Sequence, residues 1–188
     1  MSWFFSIIRS IGASFPYSAS LVQLHAEIDS AEMDRRIRRL EDPVSSLHPD
    51  IQKVSRAIYA LVKDSGQENV SFSDQLIEEY SRPLSIIEKQ GFIEGGHVIG
   101  KKWAGYTYIC DPSYVLYMCK LSEPEEKMNS LFLLLEDSKP GDSFEGGVVQ
   151  KTIDLPIPAI KAFFKVYESM GYGWCSKTIG SCYFGVTS

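Results

Sequence analysis

Between Pro49 and Cys110 the hydrophobic pattern changes period repeatedly, and each change sits beside a residue that starts or stops an element. Pro49-Asp50 opens a helix whose Ile51, Val54, Ile58, Leu61 and Val62 share one face, closing near Asp64-Ser65-Gly66. A short β-prone piece follows, Asn69-Val70-Ser71-Phe72. Ser73 is then placed to cap a helix reaching Tyr80, because its hydroxyl can accept from an unpaired first-turn N–H. Pro83 restarts the chain at a favoured first helical position, and the second helix stops at Gly91, a natural C′ residue. Phe92 to Ile99 and Tyr106 to Cys110 read as two strands joined by Gly100-Lys101-Lys102-Trp103-Ala104-Gly105.

Helix, short strand, helix, helix and hairpin, in that order between His48 and Cys110, resembles the winged helix-turn-helix superfamily. The resemblance covers about a third of the chain and is one of element order; the helix Pro83 to Gln90 is barely two turns, shorter than groove-reading helices usually are. It implies that Arg82, Ser85 and Lys89 lie on the exposed side of that helix. It also implies that Lys101, Lys102 and Trp103 sit at the wing tip, positioned for phosphate or for a protein partner.

On either side the pattern continues. Asp111-Pro112 starts a helix through Leu121, and Met128, Leu131, Phe132 and Leu135 mark another after Glu123-Pro124. Gly147 to Ile153 is rich in β-branched residues and reads as a strand. A helix from Pro156 to Met170 follows, with Asp154 as its cap and Ile157, Ile160, Phe164, Tyr167 and Met170 on its core face, and then a hairpin from Tyr172 to Val186. Two helix ends echo each other: Glu88-Lys89-Gln90-Gly91-Phe92 and Glu168-Ser169-Met170-Gly171-Tyr172 each pass through Gly and an aromatic into a hairpin. The C-terminal β-α-β-β unit is thus a candidate second winged-helix-like unit or only a similar cap.

N-terminal to this, Ser18 to Leu40 reads as one helix whose apolar stripe shifts phase after Ala31, which argues against a simple two-stranded coiled coil. Its arginines at 35, 36, 38 and 39 are flanked by acids and read as a solvated face. Trp3, Phe4, Ile7, Ile8 and Ile11 form an apolar face at the start of the chain. Folding back onto the protein or a partner is the expectation, with contact to a membrane surface as the alternative. No basic residue precedes this run and Arg9 interrupts it, so it is not read as a secretory signal.

Composition narrows the function classes. With 44% hydrophobic residues and a net charge of -5 in 188 residues, the chain is neither disordered nor, lacking a long apolar run, membrane-spanning. Residues 48–111 hold seven Lys/Arg against nine Asp/Glu, a net of -2, which disfavours phosphate binding that depends on neutralising charge. Cys110, Cys119, Cys175 and Cys182 lack metal-ligand spacing and read as reduced thiols of a cytoplasmic protein. No G-x-S-x-G, P-loop or H-E-x-x-H motif occurs, and none of His25, His48 and His97 stands beside a nucleophile motif. The expectation is therefore an α+β protein in three parts: residues 1–47 as an N-terminal helical arm, 48–111 as a winged-helix-like module and 112–188 as a helical connection with the C-terminal unit. It has no catalytic residue, cofactor or metal. It binds a protein partner or itself, with double-stranded DNA as the alternative.

Overall fold

The computed structural model describes residues 44–187 except 99, 100 and 179. The apolar residues 3–11, the helix expected from Ser18 to Leu40 and its arginines lie outside the described residues. From Gln52 onward the chain is one compact unit of mixed helix and sheet.

The first half of that unit follows the sequence closely. Helix α1 (Ile51–Ser65) buries Ile51, Val54, Ile58 and Val62 and leaves Leu61 half-buried. Strand β1 (Asn69–Ser71) leads to α2 (Asp74–Lys89), where the Ser73 hydroxyl accepts from the Leu76 N–H at 3.2 Å. The two helices expected here are present and meet at a kink. Tyr80 (φ -116°, ψ 24°) leaves helical geometry and ends the first of them, and Pro83, three residues on, falls in the first turn of the second, where its missing N–H costs nothing. Strands β2 (Ile93–Val98) and β3 (Lys101–Ile109) complete an antiparallel sheet of order β1-β3-β2.

Asp111 then caps α3 (Pro112–Ser122), its carboxylate accepting from the Ser113 N–H at 2.6 Å and the Tyr114 N–H at 3.1 Å. Six consecutive residues of α3, Tyr114 to Cys119, are buried, so this helix is covered on all sides. The reason is its neighbours: α1, β3 and α6 (Ile157–Ser169) all pack on it. Ser55 of α1 shares a 2.9 Å hydrogen bond with the Tyr114 hydroxyl, and Phe92 stacks on the Tyr114 ring with centroids 5.0 Å apart.

Helix α4 (Glu125–Glu136) buries Met128, Leu131 and Leu135, as their spacing requires. The strand expected from Gly147 to Ile153 is instead helix α5 (Gly146–Ile153), and the strand β4 occupies Ser143–Glu145 just before it. Val148, Val149, Thr152 and Ile153 favour strand by propensity, but burial of Gly146, Val149 and Ile153 at helical spacing against α6 outweighs that local preference. The C-terminal part is therefore β-α-α-β-β. Asp154 does not cap α6; it ends α5 in a left-handed conformation (φ 58°, ψ 47°), and Pro156 occupies the N-cap position of α6. Strands β5 (Gly173–Cys175) and β6 (Tyr183–Val186) form a second antiparallel sheet of order β4-β6-β5.

The two sheets share one strand order, first strand beside third and third beside second, each preceded by a helix and interrupted by helical chain. Their central helices also end alike. Gly91 (φ 77°) and Gly171 (φ 85°) take the left-handed C′ position. Phe92 N–H reaches the Ile87 carbonyl at 3.2 Å and Tyr172 N–H the Tyr167 carbonyl at 3.1 Å, with Gly N–H bonds to Glu88 and Glu168 inside each loop. This is the Schellman pattern, used twice.

Candidate interaction surface

Three of the residues expected to make contact come together on α2. Arg82, Ser85 and Lys89 follow one line at i, i+3 and i+7, opposite the buried Pro83, Leu84 and Ile87. Arg82 and Lys89 are exposed and Ser85 is half-buried. Glu78 and Glu79, both exposed, lie just before the kink at Tyr80, so the exposed side of α2 carries both signs of charge.

The wing residues divide: Lys101 and Lys102 stand at the end of the hairpin, whereas Trp103 is turned inward. Strand β3 begins at Lys101, so Lys101, Lys102 and Trp103 belong to the paired strand, with Lys101 opposite Val98 and Lys102 opposite His97. His97 therefore sits at the far end of the hairpin from Cys110, whose N–H bonds to Phe92, and the two do not face each other. Trp103 is withdrawn from solvent, 3% exposed, although it was expected to present its ring to a partner. A register shift between Gly95 and His97 lets the hairpin bend there, and Trp103 takes a left-handed backbone (φ 58°). Its indole lies against Gly95, where a Cβ would strike ring atom Cδ1, so the missing side chain at Gly95 makes room for the ring.

What the outer faces of the sheets present is aromatic. On β3, Tyr106 is 73% exposed and Tyr108 40%, while Thr107 between them is fully buried. Sequence reasoning missed these residues because polarity alone puts tyrosines inside and threonine outside. The usable signal was the alternation Tyr106-Thr107-Tyr108, which places both tyrosines on one face. Burial first, then the negative charge of Glu68, raises the Tyr108 hydroxyl above its ordinary value. On the second sheet Trp174 is 49% exposed and contacts Tyr183, ring centroids 5.6 Å apart.

Inside, the ionisable groups serve packing. Glu123, with only 3% of its side chain exposed, accepts from Lys63 at 2.6 Å and Tyr59 at 3.1 Å and pairs with Lys127 at 3.3 Å. Burial by itself raises the Glu123 carboxyl, but the hydrogen bonds and charges of Lys63 and Lys127 outweigh it and hold the group below the ordinary carboxylate value. Lys127 also bonds the Asp154 carboxylate and carbonyl, both at 2.7 Å, which ties α4 to the end of α5. Glu68, between α1 and β1, accepts from Lys161 of α6 at 2.8 Å. The four cysteines are free thiols. Cys119 is buried and the other three are half-buried; burial pushes Cys119 and Cys175 up to about 12 and Cys182 to about 11, so all three stay protonated at neutral pH. Among the described residues no group of three or more His, Cys, Asp or Glu is placed to hold a metal ion, and no helix is long and apolar enough to cross a membrane.

No protein-family model matches the chain, and no match is found among curated proteins or solved structures.

Proposed function

We propose that the chain is a non-enzymatic binding module of two tandem winged-helix-like units, acting in the cytoplasm, and that it engages a protein partner or a second copy of itself. The observation that carries this reading is that both sheets turn aromatic side chains outward, Tyr106 and Tyr108 on one and Trp174 on the other. Exposed aromatics give large contact area at low entropic cost and anchor protein interfaces. The winged-helix reading of the first unit rests on its element order and strand order. That of the second rests on the same strand order and the repeated helix stop.

DNA binding is the second reading, favoured by Arg82 and Lys89 on one exposed face of α2. It ranks lower because Glu78 and Glu79 adjoin that face, where a phosphate backbone would pass. The other unit offers no substitute: α6 buries Ala159, Ile160, Ala162, Phe163, Phe164, Val166 and Tyr167, so it cannot enter a groove without leaving the core. Titrating full-length protein with a labelled random duplex at about 50 mM salt separates the readings. Absence of binding is expected. Binding that falls steeply with added salt and is lost in a Lys101→Ala/Lys102→Ala or Arg82→Ala/Lys89→Ala variant would reverse their order.

A further inference from the structure

The outer face of the second sheet is more specific than an exposed aromatic. Across the order β4-β6-β5, the register pairs Glu145 with Tyr183 and, in the next row, Ser143 with Gly185 and Gly185 with Trp174. Side chains of directly paired residues share a face, and the buried Phe184 marks the opposite one. These five residues form this outward surface together with Ser176, whose N–H bonds the Tyr183 carbonyl at 3.0 Å; Glu145 is its acid, and the exposed Lys177 follows Ser176 beyond the strand.

Its shape follows from Gly185. A Cβ there would lie 2.6 Å from Nε1 and 2.7 Å from Cε2 of Trp174, so the indole lies across Gly185 and leans toward β4, with Tyr183 alongside. The indole remains half exposed, and Glu145 is exposed on the far side of Tyr183, its Oε1 3.7 Å from where a Cβ on Gly147 would lie at the start of α5. An aromatic shelf bordered by a carboxylate attracts a cation through the negative ring face and the charge together. Phosphate or acidic groups would be repelled by the same carboxylate. The edge of β5 is a poorer place for a strand to add, because its outward Cys175 N–H already donates to Glu168 Oε1 at 2.9 Å.

We propose that the Glu145–Tyr183–Trp174 face docks an arginine- or lysine-bearing extended segment of a protein partner, its cationic side chain lying over the Trp174 indole within reach of Glu145. The inference rests on the protein-binding reading and narrows it to a basic partner.

The test uses the full chain and a fluorescein-labelled peptide of alternating arginine and serine, followed by anisotropy at physiological salt, with a citrulline counterpart as the uncharged probe. Trp174→Ala and Glu145→Gln are each expected to weaken the arginine peptide roughly fivefold, with Trp174→Phe retaining most of the affinity and the citrulline peptide binding far more weakly. Glu125→Gln removes an exposed acid of α4 and is expected to change nothing. Equal weakening by Glu125→Gln and Glu145→Gln would reduce the effect to net-charge attraction and overturn the proposal. So would undiminished binding of the citrulline peptide, or a fall in molar mass by light scattering in Trp174→Ala, which would make a second copy the occupant. No peptide binding in a protein that also fails to bind duplex DNA rejects the basic partner while leaving the protein-binding reading in place.

Discussion

The two units are built from the same parts in the same order and spend them differently. In the first, α2 packs on β2 through Pro83, Leu84 and Ile87 and keeps a solvated face, and the hairpin runs six and nine residues. In the second, α6 is enclosed because α3 and α5 lie against it, and the strands shrink to three and four residues. The tryptophans divide the same way: Trp103 is folded into the core over Gly95, whereas Trp174 rests over Gly185 in contact with solvent. Position against the shared helix α3, and not element order, decides which surfaces remain available for binding.

The largest expected effect breaks the second unit from inside. Phe164 is 1% exposed and stacks on Phe184 with centroids 5.3 Å apart, so Phe164→Ala is expected to cost about 4 kcal/mol in urea unfolding at unchanged m value. Because α3 is common to both units, probes in β2–β3 and in β5–β6 are expected to report the same lowered midpoint.

A smaller loss comes from the joint. Glu123→Gln removes the charge that Lys63 and Lys127 share and is expected to cost about 2 kcal/mol at pH 7, since both amines are exposed enough to regain water. The sign of the pH dependence follows from the depressed carboxyl. The unfolded chain takes up this proton first, so the stabilisation is complete above the unfolded value near pH 4.3 and is lost as pH falls through the lower folded value. Thermal midpoints measured from pH 6 to pH 2 are expected to drop more steeply in the native protein than in Glu123→Gln.

The finest test sets the two glycines against each other. Gly95→Ala drives a methyl into the buried indole of Trp103, which has nowhere to move, and is expected to cost about 2 kcal/mol. Gly185→Ala meets the indole of Trp174 from below, and that ring can lift into solvent, so about 1 kcal/mol is expected. Equal losses in the two variants would mean that the tryptophans are equally fixed.

Much of the first unit was legible because its signals are local: the stripe of α1, the Ser73 cap and the Gly91 stop each act within a few residues. The Gly171 stop was equally legible. The misread elements depend on partners distant in sequence. Helix α5 reads as strand until the surface of α6 is placed beside it. Trp103 reads as a wing tip until the space left at Gly95 is known. Met170, expected in the core stripe of α6, is 40% exposed because it falls at the cap, where the chain has already turned away. Arg82 and Lys89 were found by helical periodicity alone, whereas Tyr106, Tyr108, Trp174 and Glu145 needed the strand registers that set inside from outside.

Native-state hydrogen exchange across the full chain tests whether α3 welds two like units into one body and thereby encloses α6. Amides of α1, α3 and α6 are expected to exchange only through one global opening of common free energy. Exchange of α6 and β6 through a separate, lower-energy opening while α1 and β3 stay protected would contradict it.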